Sequence, residues 1–308
     1  MALASISVDL DSLPHYCRIH GLDEGILDDR ARRLVYERAI PRYLELFDRL
    51  GIRGTFFAIG QDLSEPSAVS MLRQAHLAGV EIGNHSFSHD YALTRLPAGR
   101  IREEVLRGDE AIEQAIGQRP SGFRAPGYTL NAALYRVLEE RGYAYDSSTF
   151  PAAPYYLAKA GVMGALQLAG RPSRAILDSP RVLTAPRRVY RPDPNAPYRP
   201  GNGEVLELPI AVAPVSRFPF IGTFAVALPG TVVRAAYLPL RSEPFFNFEL
   251  HGVDVLDQTD GIPEALVLRQ RDLRIPAARK MARLTRIFGW LRRDFDVVTL
   301  AEAARRLR

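Results

Sequence analysis

Apolar and polar positions along the first half of the chain follow two periods in turn. Residues 4–10 form a short β-prone run that ends in acids. Residues 28–50 follow with Leu34, Ala39, Tyr43, Leu46, Phe47 and Leu50 at helical spacing, closed by Gly51. That pair reads as a strand followed by a helix. It recurs at 54–59 then 66–78, at 80–83 then 96–116, and at 122–124 then 131–141, with a further strand at 144–146. Strands alternating with helices predict a parallel sheet, open or closed into a barrel.

The pattern changes at residue 150. Residues 150–244 hold 15 of the 23 prolines and show no sustained helical period, so they read as an irregular insertion into a single domain that spans 1–308. Within and after it, 205–210 and 245–250 read as strands returning to the sheet. Residues 276–293 read as a helix before a last strand at 295–298.

Composition narrows the class. The chain has 308 residues, of which 47% are hydrophobic and 24% charged, a balance that excludes disorder and suffices for a core without metal or disulfide staples. Cys17 stands alone, which fits a reducing compartment. The first residues lack the basic start and long apolar stretch of an export signal, so a cytoplasmic place is expected. The apolar run 218–233 is shorter than the ~20 residues of a spanning helix and is broken by Pro219 and Pro229.

Charge is uneven. Residues 269–308 form a basic helical C-terminal part with 12 Lys and Arg against 4 Asp and Glu. That excess fits a solvated helix face or attraction to an anionic surface. No nucleic-acid-binding signature accompanies it.

Candidate chemistry gathers just beyond the predicted strands, where parallel α/β folds place their sites. Asp9 and Asp11 lie two apart on an extended chain and face one side. His85 and His89 have metal-ligand spacing if the backbone makes one helical turn. Arg124 ends a strand ahead of Pro126, Gly127 and Tyr128, and an apolar strand delivers His251. Taken singly, these also fit a solvated turn, surface histidines, a structural turn with a free arginine, and a core histidine. Asp146 is as weak alone. Asp254, Asp257 and Asp260 match no calcium loop and read as a solvated turn.

In order, the five pieces resemble the polysaccharide deacetylase family of NodB-homology carbohydrate esterases: Asp-Asp, His-x-x-x-His, Arg-x-Pro, Asp, Leu-His. The stretch from Gly54 to Gly60 is similar to that family's second strand. The resemblance implies a distorted (β/α) barrel in which Asp11, His85 and His89 hold a divalent metal, most often zinc. It makes Asp9 the general base, oriented by Arg124, and His251 the general acid, tuned by Asp146. The N–H of Gly127 helps hold the oxyanion. The chain separates its aspartates by Leu10 where the common pattern has them adjacent. This spacing resembles a branch with intracellular peptidoglycan-deacetylase-like and arabinose-lipid deformylase-like members. It also has Pro-Gly-Tyr where Pro, an aromatic and Gly is commoner, which places Tyr128 in the substrate groove.

The expected activity is metal-dependent removal of an acetyl or formyl group from an N-acylated sugar. The apolar segment 206–240 together with the basic tail suggests a lipid-carried sugar met at the inner face of an anionic membrane. A related C–N hydrolase of a small amide or cyclic imide, or a non-catalytic carbohydrate- or lipid-binding protein on the same fold, stands as the alternative.

Overall fold

The computed structural model describes residues 1–168 and 177–308. Ten strands occur among them: β1 (Leu3–Asp9), β2 (Thr55–Ala58), β3 (Glu81–Asn84), β4 (Gly122–Phe123), β5 (Tyr145–Asp146), β6 (Pro192–Asp193), β7 (Ala196–Pro200), β8 (Leu206–Glu207), β9 (Phe245–His251) and β10 (Asp296–Val297). β6 and β7 form a small antiparallel hairpin. The other eight make one all-parallel curled sheet in the order β10-β1-β2-β3-β4-β5-β8, with β9 on the other side of β1. The chain beyond β8 approaches β9, where Ala211 N–H donates to Asn247 O at 3.0 Å and narrows the gap in the distorted barrel.

Register decides where the site lies. Asp9 stands opposite Phe57 on one side and His251 on the other, Asn84 opposite Phe123, and Phe123 opposite Asp146. Asp9, Asp146 and His251 are therefore the last residues of their strands, while His85 and Arg124 are the first beyond theirs. One rim collects them all, as expected for parallel strands joined by helices.

Local chemistry sets the helix ends. Gly51 closes Ile40–Leu50 at φ 58°, and Asn131 caps Ala132–Glu140 by accepting from Leu134 N–H at 2.8 Å. The predicted helix over 28–50 forms as one rod containing a π segment, Val35–Ala39. There Val35 presses on Gly252: a Cβ at that glycine would lie 2.6 Å from the valine side chain, so the residue after His251 must be small.

The insertion differs from its expectation. It contains the helices Ala153–Leu168, Gly222–Ala227 and Gly230–Tyr237, while residues 169–176 of it lie outside the described residues. The first escapes a periodicity reading because it is apolar nearly all round, and its Pro154 is tolerated in the first helical turn. The apolar run after it faces inward. Phe220, Ile221, Ala225, Val226, Val233 and Tyr237 are all buried, so this segment supplies core instead of a lipid-facing patch. No helix among the described residues is long and apolar enough to cross a membrane.

The acids after His251 are buried too, and do not form a solvated turn. Asp254 accepts from His251 N–H, Asp257 from Ala277 N–H, and Asp260 receives both guanidinium nitrogens of Arg42 at 2.7 Å. From the basic tail, Lys280 is fully buried and donates to Val253 O and Leu256 O. Part of the tail's charge thus fastens the loop behind the site.

Phe248 of β9 joins these layers, packing against Phe220 of the insertion, Phe246 and the C-terminal-helix residue Phe288. Phe248→Ala is expected to lower unfolding free energy by about 3–5 kcal/mol, read as a shift in urea midpoint at unchanged slope.

Candidate active site

At the rim, the end of β1 offers two carboxylates with different partners. Asp9 Oδ1 receives Arg124 Nη1 at 2.7 Å, with the side chains 1% and 0% exposed. Asp11 Oδ1 instead faces His85 Nε2 at 3.4 Å and His89 Nε2 at 3.3 Å. The split follows from chain direction: Asp9 is still in β1, in line with β4, whereas Asp11 has left the strand.

The two histidines arrive without the expected helical turn. β3 ends at Asn84, and the following loop places Ser86 at φ 65° and His89 at φ 55°, both left-handed and sterically costly for residues with a Cβ. Ser86 Oγ accepts from His89 N–H at 3.1 Å and holds the turn. The imidazoles still come together, with ring centroids 4.8 Å apart. His85 Nδ1 lies 2.7 Å from Arg124 O, which fixes that nitrogen as the donor and leaves Nε2 as an acceptor. Burial pulls His89 down to about 4, against the pull of Asp11, so its imidazole is neutral at ordinary pH.

These donors fit a divalent cation. One atom from each of Asp11, His85 and His89 lies within 4.8 Å of the others, and Asp11 Oδ1 and His89 Nε2 are buried without a hydrogen-bond partner. Orphaned polar atoms that converge in this way are costly unless something binds them. One carboxylate and two imidazoles are the mixed donor set of a catalytic zinc-type site with room for water.

Arg124 is fully buried and fully engaged. Beyond Asp9, its Nη2 donates to Ser7 Oγ at 2.9 Å and Ser147 Oγ at 2.8 Å, its Nε to Ser147 O at 3.0 Å, and its guanidinium lies over the Phe57 ring at 4.3 Å. The arginine is thus a clamp between β1, β4 and the residue after β5, not the free arginine that its turn would fit taken alone.

His251 ends β9, with its carbonyl held by the Tyr43 hydroxyl at 2.8 Å. Its ring Nδ1 lies 3.0 Å from Glu249 Oε1 and its Nε2 3.2 Å from the Tyr128 hydroxyl. Burial opposes charge on this imidazole, but Glu249, then Asp11 and Asp9, outweigh it and hold His251 well above the usual histidine range. The carboxylate beside His251 is therefore Glu249. Asp146, which the family pattern puts in that role, stands opposite Glu207 in β5–β8, accepts from Ser148 Oγ at 2.7 Å, and is absent from the cavity wall. Burial raises the carboxyls of Asp146 and Glu207, which are neighbours in the interior.

A cavity of about 180 Å³ opens on this constellation. Its walls include Asp9, Asp11, His251, Gly127 and Tyr128, with Tyr155 and Lys159 supplied by the insertion. Gly127 is at φ 67° and Tyr128 at φ 60°; a Cβ on Gly127 would lie 2.9 Å from Tyr91, so the turn needs glycine there.

Residues 27–145 match the family model for polysaccharide deacetylase. This part of the chain is similar to the polysaccharide deacetylase family. A peptidoglycan deacetylase of Helicobacter pylori is 28% identical over 158 residues, 50% of this chain and 53% of that protein. A peptidoglycan-N-acetylglucosamine deacetylase of Bacillus cereus is 30% identical over 103 residues, 33% of this chain and 46% of that one. The chain spans about half the length of these curated relatives. A crystal structure from Mycobacterium smegmatis, named as a candidate polysaccharide deacetylase, shares the fold. Its TM-score is 0.62 at 17% identity, over 99% of this chain and 89% of the other.

Two site residues escaped the sequence reading. Glu249 lies two before His251 on a strand, where alternation puts both side chains on one face; that signal was available. Lys159 is the sole charge in its helix, a weaker signal until the helix is known. The unaltered protein is expected to carry roughly one divalent ion per chain, a His85→Ala, His89→Ala chain to lose it and Asp9→Asn to keep it; elemental analysis of identically purified samples reads all three.

Proposed function

We propose that the protein removes the acyl group from an N-acylated sugar by hydrolysis of its amide bond. The observation that carries this reading is the pairing of two proton-transfer candidates on the wall of one small cavity. Asp9, clamped by Arg124, stands beside His251, whose imidazole Glu249 holds well above the usual histidine range, with the Asp11, His85 and His89 cluster next to them. The relatives named as deacetylases point the same way.

Asp11, His85 and His89 would hold the divalent ion, which when bound polarises the acyl carbonyl and makes water more acidic; zinc suits the mixed donor set. The chain's own residues do the rest. Asp9 takes a proton from the attacking water, and Arg124 prevents its carboxylate from turning away. The carbonyl oxygen gains negative charge as the carbon becomes tetrahedral, and the N–H of Gly127 on the cavity wall helps hold it. His251 already carries its proton and gives it to the departing amine as the C–N bond breaks. Its Nε2 lies 3.2 Å from the Tyr128 hydroxyl, on the cavity wall. Tyr128, Tyr155 and Tyr91 offer aromatic walls for a sugar ring.

Within this class a lipid-carried sugar is favoured by Leu157 and Val162, large apolar residues exposed on the helix that borders the cavity. A cytoplasmic setting is supported by Cys17, a buried thiol with no second cysteine to pair with.

Incubation with N-acetylglucosamine oligomers and with an N-formyl amino sugar, in the presence of zinc, is expected to release acetate or formate. Release of neither from any N-acyl sugar by the metal-loaded protein would sink the proposal. Glu249→Gln removes the main charge that raises His251. Because an acid works only while protonated, the alkaline limb of the pH–rate profile is expected to move to lower pH, with the acid limb in place. A limb that stays put would mean Glu249 does not tune the acid.

A further inference from the structure

The cavity holds one cation for which the proposed reaction has no use. Lys159 lines it together with Asp9, Asp11, Tyr155 and His251. It is the sole charged residue of the helix Ala153–Leu168, and that helix inverts the usual polarity: Leu157 and Val162 are 64% and 60% exposed while the lysine turns inward. A lysine's long stem ordinarily lets the ammonium reach water, so an inward ammonium at a surface helix calls for a reason.

No partner within the described chain supplies one. Lys159 enters no ion pair or hydrogen bond among the described residues, and its Nζ lies 5.8 Å from the Tyr155 ring centre. Burial lowers its pKa, and Asp178 only partly offsets that cost. Asp178 itself is engaged by the Tyr198 hydroxyl and the Ser179 N–H. Residues 166–176 contain no Asp or Glu. Lys159 is therefore placed on the cavity wall where it can meet an anionic substituent brought in with a sugar.

We infer that Lys159 is an anion-reading specificity residue, and that the substrate is an N-acyl sugar bearing a phosphate or carboxylate within reach of this cavity. The inference rests on the deacetylase reading for what else the cavity binds. A single charge-assisted hydrogen bond to a half-buried ammonium is enough to rank anionic over neutral sugars by about tenfold or more.

The test is calorimetric titration of the metal-loaded protein with N-acetylglucosamine, N-acetylglucosamine 1-phosphate and N-acetylmuramic acid. At least one anionic sugar is expected to bind about tenfold tighter than the neutral one. The phosphate and carboxylate arms show which anion is read. Lys159→Gln is expected to erase the preference and Lys159→Arg to keep it, which separates charge from folding. Equal affinity for all three sugars, or a preference that survives in Lys159→Gln, overturns the inference. Acyl release is scored separately. Turnover without anion preference removes the reader and leaves the activity, while a lysine-dependent preference without turnover keeps the reader and removes the deacetylase reading.

Discussion

The buried ion pair of Asp9 and Arg124 is the constraint from which the rest of the site follows. Both side chains are almost wholly removed from water, and an unpaired charge in that position costs about 3–5 kcal/mol. The guanidinium therefore has to find acceptors on every side, and it finds them on β1 and on Ser147, the first residue after β5. Ser147 Oγ in turn meets Asn247 of β9, and Ser7 Oγ donates to Asn247 Oδ1. One arginine thereby links four strands at the rim. Satisfying it determines where Asp9 points, and Arg124 O, a product of the same turn, determines the tautomer of His85.

Once that clamp is in place, the parallel register does the remaining placement. Asp9 and His251 are direct partners across β1 and β9, so base and acid candidates emerge side by side without any loop having to carry them. The loops supply what strands cannot. His89, Gly127 and Tyr128 all adopt left-handed backbone, and two of these three carry a Cβ that resists it. Strain of this kind persists where neighbours over-determine it, here through Ser86, Tyr91 and the packed ends of β3 and β4. The rigid rim and the strained loops together give a pre-set cavity.

Much of this was legible from residue pattern because it depends on local periods. The strand–helix alternation before residue 150 appears within a residue or two at most boundaries, and the rim location of Asp9, Asp11, His85, Arg124 and His251 follows from their places at strand ends. What was illegible depends on tertiary context. The helix Ala153–Leu168 has too little polar contrast to show a period. The acids Asp254, Asp257 and Asp260 look solvated in sequence, yet their partners are 3 to 218 residues away in the chain. Asp146 misleads for a further reason: a motif position carries no information on which carboxylate stands nearest the imidazole.

That last point bears on how the site is charged. A carboxylate on a different strand can tune an acid only as well as two elements keep their spacing. Glu249 shares β9 with His251, so their separation is set by the pleat itself and survives any shift between strands. Asp146 instead, through Ser148, whose Oγ accepts from Ala125 N–H, braces the turn that presents Arg124. Asp9 is paired with Arg124 and Glu249 stands beside His251, so Asp11 is left facing the two imidazole acceptors that converge on it. A divalent cation fits that donor set.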